Sequence, residues 1–145
     1  MREIANKIIE CLKSGHFLYG IGNGGSATMA SHFCGELIGK FRYDRRALPA
    51  ISLFDLASMT ATANDFGYEE VFVRPLSALG RPGDTLLALS TSGKSKNVLK
   101  AIEWANKHKM IVIDLERIGT ATAEIQENHL YMLHKIAGII EDAFI

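Results

Sequence analysis

The sequence of 145 residues lacks several features that would point to particular classes of protein. Its two cysteines, Cys11 and Cys34, are too few for a disulfide framework and show no metal-finger spacing, which favours a reducing compartment. Sixteen basic residues balance sixteen acidic ones, so there is no basic excess for binding nucleic acid. No apolar run approaches the roughly 20 residues that cross a bilayer, and the N-terminal stretch lacks a signal-peptide core. We therefore expect a cytoplasmic protein that binds neither nucleic acid nor membranes.

The length and the 48% apolar content favour a single domain over residues 1–145. Short apolar runs, typical of buried strands, alternate with segments of helical periodicity. Strands are predicted at 17–21, 48–53, 85–89 and 110–113, and helices before Gly15 and at 27–39, 71–79, 95–108 and 121–144. This alternation predicts an α/β fold in which helices cover both faces of a parallel sheet, with binding sites at the carboxyl ends of the strands.

The junction after the fourth predicted strand is unusually short. Ile113 and Asp114 join that strand to the last helical segment, although a crossover to another parallel strand needs about a dozen residues. Either the fourth strand leads directly into the last helix, or a loop of about 10–15 residues is missing at this point.

Two loops follow predicted strands and open predicted helices. In the first, Gly20, Gly22 and Gly25 match the GxGxxG pattern of dinucleotide-binding proteins, and Asp55 could serve as the acidic partner of a ribose. The second loop, Ser90–Ser95, offers hydroxyl groups and a helix N-terminus, which together suit a phosphate monoester. Simple helix capping by Ser95 is the alternative interpretation. The loop is not a Walker A motif, because that motif requires glycine where Ala88 stands.

Two pairs of side chains could bind a metal ion. His32 and Glu36 lie four residues apart and share one helix face, and such a pair can either bind a divalent ion such as Zn²⁺ or form a simple surface contact. Gln126 and His134 lie eight residues apart, about 12 Å along a straight helix. Reaching one ion from both positions would need long side chains, a distortion or a neighbouring subunit. His129, between them, could simply pack or cap.

Six motifs together resemble the sugar isomerase (SIS) domain family. They are GNGGSA at 22–27, HFCGEL at 32–37, NDFGYE at 64–69, GRPGD at 80–84, STSGKS at 90–95 and IQENHL at 125–130. The resemblance implies a parallel sheet of about five strands, a homotetramer and a loop and strand at the short junction. It also implies an aldose–ketose isomerase that converts D-sedoheptulose 7-phosphate to D-glycero-D-manno-heptose 7-phosphate through an enediol, in the synthesis of bacterial lipopolysaccharide core precursors.

The resemblance also implies roles for individual residues. Glu36 and His134 correspond to the catalytic base and acid. His32, Glu36, Gln126 and His134 correspond to the ligands of one Zn²⁺ per subunit. The residues that correspond to substrate contacts are Asn23, Gly24, Ser26, Asn64, Asp65, Ser90, Thr91, Ser92, Ser95 and Gln126.

Two alternatives remain open from the residues. A non-catalytic SIS module that binds a phosphosugar or assists a replication initiator would share the fold. A dinucleotide-binding oxidoreductase would use the first glycine loop but would leave the second loop without a role.

Overall fold

The computed structural model describes residues 1–145 and contains six α-helices, four β-strands and a 3₁₀ turn at Tyr68–Glu70. In chain order they are α1 (Arg2–Lys13), β1 (Leu18–Gly22), α2 (Gly25–Ile38), β2 (Ala50–Ser52), α3 (Leu56–Phe66), α4 (Val73–Leu79), β3 (Thr85–Leu89), α5 (Lys96–Lys107), β4 (Ile111–Asp114) and α6 (Thr122–Asp142).

The four strands form one parallel sheet in the order β2-β1-β3-β4. The central strands β1 and β3 are buried at every position, as expected for strands covered on both faces. The predicted parallel α/β class is therefore confirmed, with four strands where about five were expected. The sheet stops at four because β4 leads through residues 115–121 directly into α6, as the first interpretation of the short junction proposed.

A separate apolar core lies on each face of the sheet. The larger one joins the sheet to α1, α2 and α6 through residues such as Ile8, Phe33 and Ile136. The smaller one joins it to α4 and α5 through Phe72 and Val98. Each fully buried side chain of this size stabilises the fold by about 1.5–3 kcal/mol. None of the six helices combines the length and apolarity that crossing a membrane requires.

Helix α3 is the element that the sequence analysis missed. Its small and polar residues show no clear apolar period, and only Thr62 is buried. The helix begins because the side chain of Asp55 accepts a hydrogen bond from the backbone N–H of Ser58 at 2.7 Å. Leu56 and Phe66, at its two ends, are exposed. Helix α3 thus presents apolar side chains that are more than half exposed, although the guanidinium of Arg74 lies over the ring of Phe66.

Candidate functional site

The two predicted phosphate loops lie side by side at the carboxyl edge of the sheet. The first follows β1 and the second follows β3, and these strands are paired along their whole length. Between the loops is a cavity of about 260 Å³. It is lined by Asn23, Gly24, Gly25, Ser26, Leu89, Ser90, Thr91, Ser95, Thr122 and Gln126. The cavity therefore meets two loops and the N-terminal ends of α2 and α6.

The second loop is folded by its own hydroxyl groups. The Ser90 hydroxyl accepts a hydrogen bond from the Gly93 backbone N–H, and the Ser92 hydroxyl accepts one from Lys94 N–H, both at 3.1 Å. Gly93 has a φ of +65°, which a side chain would disfavour. The Ser95 side chain makes no capping bond to α5, so the capping alternative is not realised here. This loop therefore presents hydroxyls beside an open helix N-terminus, an arrangement that attracts anions.

The carboxylate that the dinucleotide interpretation needed is already engaged. Asp55 caps α3 through its hydrogen bond to Ser58 rather than standing free beside the glycine loop. The first loop also lies beside the second loop across one cavity, and a dinucleotide site would not require the second loop. These positions favour a phosphate monoester between the two loops.

A cluster of three metal-ligating side chains lies between α2 and α6. The Nε2 atoms of His32 and His134 are 3.3 Å apart, and Glu36 Oε1 lies 3.0 Å from the first and 3.4 Å from the second. The ligand atoms lie within 4.8 Å of one another. Glu36 is largely buried, and its Oε2 atom has no hydrogen-bond partner. We call His32, Glu36 and His134 the triad.

The donor set of the triad fits a divalent transition metal. Two imidazole nitrogens and a carboxylate oxygen are ligands that Zn²⁺ commonly takes, and a buried carboxylate oxygen without a partner is costly unless something binds it. All three side chains come from one chain, so no second subunit is needed to assemble them.

Gln126 lies with the phosphate loops rather than among the triad. A Cβ atom on Gly25 would lie 2.6 Å from Gln126 Nε2, so the glycine leaves the space that this amide occupies. His134 lies two turns further along α6, about 12 Å at the normal helical rise. Helices α2 and α6 both start at the cavity and both reach the triad. The cavity and the triad are thus connected by the same two helices.

The predicted sugar-contact pair lies at the end of α3. Asn64 donates a hydrogen bond to Asp65 at 2.8 Å, and both side chains are exposed outside the cavity lining. Tyr68, three residues further on, donates its hydroxyl hydrogen to Asn23 Oδ1 at 3.0 Å. Tyr68 was not predicted as a site residue from the sequence, and neither was the buried Asn97, which bonds to Asn23. The only sequence signal for Asn97 was its position in the first turn of the helix after the second loop.

Two further titratable groups, both in α6, have pKa values shifted by their surroundings. Burial lowers the pKa of His129, whose Nε2 bonds to the backbone oxygen of Glu116 at 3.1 Å. His129 therefore packs and supports the β4–α6 connection. Burial alone would raise the pKa of Glu141, but hydrogen bonds from backbone N–H groups, including that of Phe41, lower it overall. Phe41 in turn stacks on the ring of His134.

Comparison with known proteins identifies the class to which this fold and site belong. A family model described as SIS domain matches residues 1–116, and the chain belongs to the SIS domain family. Its relatives within this class are phosphoheptose isomerases. The protein of Colwellia psychrerythraea is 43% identical, with 92% of this chain and 79% of that protein aligned. The protein of Rhodospirillum rubrum is 40% identical, with 97% and 84% aligned.

Solved structures agree with these relatives. The phosphoheptose isomerase of Francisella tularensis superimposes with a TM-score of 0.93 at 34% identity, covering 97% of this chain and 84% of that one. The enzyme of Neisseria gonorrhoeae gives a TM-score of 0.88 at 34% identity, covering 96% and 83%. The recognition of the family from its six motifs is confirmed.

The relatives contain internal residues that have no counterpart here. The alignment with the Colwellia protein spans 154 positions, more than the 145 residues of this chain. The resemblance likewise implied that family members contain an additional loop and strand.

Proposed function

We propose that this chain is a phosphoheptose isomerase that converts D-sedoheptulose 7-phosphate to D-glycero-D-manno-heptose 7-phosphate. The observation that carries the proposal is the triad, in which Glu36 Oε1 lies within 3.4 Å of two imidazoles, in a chain that also forms a cavity between two hydroxyl-rich loops. The proposal includes a cytoplasmic location and a role in making heptose for the lipopolysaccharide core.

The phosphate group would bind between the two loops. Ser90, Thr91, Ser92 and Ser95 supply hydroxyls from one side, and Asn23, Gly24 and Ser26 supply backbone and side-chain donors from the other, with Gln126 closing the cavity. Asn64 and Asp65 would contact the sugar. An open-chain heptose phosphate is about 10 Å long from C1 to phosphorus, since each of its eight bonds advances roughly 1.2 Å. That length is comparable to the roughly 12 Å that separates Gln126 from His134 along α6.

Glu36 would act as the base and His134 as the acid. The carboxylate removes a proton from C1 of the ketose while the imidazole protonates the oxygen on C2, which gives the enediol. Glu36 then returns its proton to C2, and His134 takes the proton from the oxygen on C1, which leaves the aldehyde. Each positioned acid or base contributes typically 10²–10⁴-fold. Oε1 is the Glu36 oxygen that faces the imidazoles, whereas Oε2 is buried without a hydrogen-bond partner.

We propose that the triad holds one Zn²⁺ per subunit, with Gln126 as a further ligand if its side chain turns towards the triad. When bound, the ion would polarise the substrate's carbonyl group and stabilise the negative charge that develops on its oxygen. The role of this chain is to fix the two imidazoles and Glu36 Oε1 around it, while Phe41 keeps the ring of His134 in place.

We also propose a homotetramer. Leu56 and Phe66 of α3 and Tyr68 beside it are more than half exposed, and an isolated chain gains nothing from exposing them. A further copy of the chain would bury this surface. Sedimentation of the purified protein measures the oligomeric state, and a monomer would contradict this part of the proposal.

The experiment that tests the activity follows aldose formation from sedoheptulose 7-phosphate. The zinc-loaded protein should turn the substrate over, lose activity with a chelator and regain it when Zn²⁺ is restored. His134→Gln should lower kcat about 10²–10⁴-fold because the acid is lost. His108→Gln is the matched control, since His108 lies at the opposite end of α5 from the second loop and stacks on Trp104.

Three outcomes would count against the proposal. Wild-type turnover by His134→Gln would exclude its role as the acid. Full activity without metal would exclude the role of the ion. A protein that binds the sugar phosphate without converting it would instead be a non-catalytic module of the same family.

A further inference from the structure

Asn23 is held by two residues that the proposed mechanism does not use. Its Nδ2 donates to Asn97 Oδ1 at 2.9 Å, and its Oδ1 accepts from Asn97 Nδ2 at 2.8 Å. The hydroxyl of Tyr68 donates to the same Oδ1 at 3.0 Å. Asn97 is buried in the first turn of α5, and Tyr68 lies in the connection between α3 and α4. One carboxamide therefore joins three segments of the chain around the phosphate cavity.

The direction of every bond in this network follows from one backbone group. The backbone N–H of Val98 donates to Asn97 Oδ1 at 3.0 Å, and a backbone N–H can only donate. This places the oxygen of Asn97 towards Val98 and its nitrogen towards Asn23. The nitrogen of Asn97 must then meet the oxygen of Asn23, and the nitrogen of Asn23 must meet the oxygen of Asn97.

Because the orientation of the Asn23 amide is set, only one of its hydrogen-bonding groups remains unused. A carboxamide oxygen accepts two hydrogen bonds, and both places on Asn23 Oδ1 are taken, by Asn97 and Tyr68. One of its two amide hydrogens is also used. The remaining hydrogen can only be donated, and donation suits the anionic oxygens of a phosphate group.

We propose that Asn97 is a positioning residue that locks the Asn23 carboxamide as a donor to the bound sugar phosphate and ties the first phosphate loop to α5, the helix that follows the second loop. Tyr68 completes the lock from the connection that follows the Asn64–Asp65 pair. This inference rests on the proposed function for the identity of the ligand, but the hydrogen-bond network itself does not depend on turnover.

Without Asn97, the Asn23 amide keeps only its hydrogen bond from Tyr68 and can rotate about it. The first loop also loses both side-chain hydrogen bonds to α5. Asn97→Ala should therefore raise the KM for sedoheptulose 7-phosphate about tenfold, as expected for the loss of two side-chain hydrogen bonds. The kcat should change by less than about threefold, because Glu36 and His134 are untouched. Tyr68→Phe removes one exposed donor and should raise the KM about threefold without affecting folding.

The test measures KM, kcat and Tm for the zinc-loaded variants, and the affinity for sedoheptulose 7-phosphate by calorimetry. Asn106→Ala is the matched control, because Asn106 is an exposed residue of the same helix far from the loops. The double variant Asn23→Ala/Asn97→Ala should bind no more weakly than Asn23→Ala, since both residues act through one amide pair.

Two results would overturn the proposal. One is a lowered Tm for Asn97→Ala with unchanged KM and affinity, which would make the residue merely structural. The other is a double variant whose loss of affinity equals the product of the losses in the two single variants. If the wild-type protein binds the sugar phosphate without converting it, calorimetry still decides the role of Asn97, while the proposed isomerase activity fails separately.

Discussion

Two places in the molecule each contain a histidine beside a carboxylate, but the two pairs differ in which oxygens have hydrogen-bond partners. Between α2 and α6, Glu36 Oε1 lies 3.0 Å from His32 Nε2, and Oε2 is buried without a partner. At the amino edge of the sheet, His16 Nδ1 donates to Asp84 Oδ1 at 3.2 Å. There the backbone N–H groups of Phe17 and Arg81 donate to the same carboxylate, so both of its oxygens are occupied.

The difference shows that residue types and distances do not by themselves define a reactive site. The carboxylate of Asp84 accepts hydrogen bonds from the residue before β1 and from the turn before β3. In that turn Gly83 has a φ of +92° and lies against the ring of His16. Glu36 instead has Oε1 beside two imidazoles and leaves Oε2 without a hydrogen-bond partner. The first pair therefore holds the fold, and the second can bind an ion or a substrate.

The largest expected contrast is in catalysis. Glu36→Gln should lower kcat about 10²–10⁴-fold, because the proposed base is lost while the amide keeps nearly the same shape. Asp84→Asn should leave kcat within about threefold, because Asp84 is neither the acid, the base nor a substrate contact in the proposed mechanism. Rates of aldose formation at saturating substrate measure both effects. Comparable losses in the two variants would remove the distinction between the pairs.

The second contrast concerns stability, for which Asp84→Asn rather than Glu36→Gln should have the larger effect. Asp84→Asn should lower the free energy of unfolding by about 2–3 kcal/mol, because an amide nitrogen placed against a backbone N–H leaves that buried donor unsatisfied. Glu36→Gln should lower it by less, since Oε2 has no partner to lose. Urea denaturation of the two proteins provides the measurement, and a larger loss for Glu36→Gln would contradict this account.

The smallest expected effect concerns a third carboxylate, Glu141, which resembles Asp84 because backbone donors occupy it. Those donors lower its pKa below the ordinary value of 4.5 despite its burial, so the folded state favours the charged form. The resulting stability is present above about pH 4.5 and is lost as the pH falls through the lowered pKa.

Glu141→Gln tests this sign. The variant should be about 1–2 kcal/mol less stable than the wild type at pH 7, and the difference should shrink below about pH 4.5. Thermal or urea unfolding across this pH range measures it. A difference that stays constant in acid would show that the charge of Glu141 contributes nothing.

Much of the fold followed from local patterns. The runs that became β1 and β3 are continuous and apolar, and the segments that became α5 and α6 show helical periodicity with clear ends. Helix α3 escaped prediction because its residues are small and mostly exposed, so burial produces no period along it. The four strands were also predicted from their apolar runs, and the structure added that β4 leads into α6 and ends the sheet.

The site was predictable where its residues are close in sequence. His32 and Glu36 share one helix face by spacing, and each serine of the second loop stands in one short segment. The arrival of His134 at this pair depends on how α6 packs against α2, which no local pattern encodes. The same is true of Asn97 and Tyr68, whose bonds to Asn23 span 74 and 45 residues.

By itself, the sequence determined the α/β class, the two loops, the family motifs and the side chains able to do the chemistry, because these depend on apolar periodicity and on residue identity. The tertiary structure alone decided which oxygen of which carboxylate stays free, where Gln126 lies and how the Asn23 amide is oriented. Hydrogen bonds between distant segments set these properties, and such bonds exist only once the helices have packed onto the sheet.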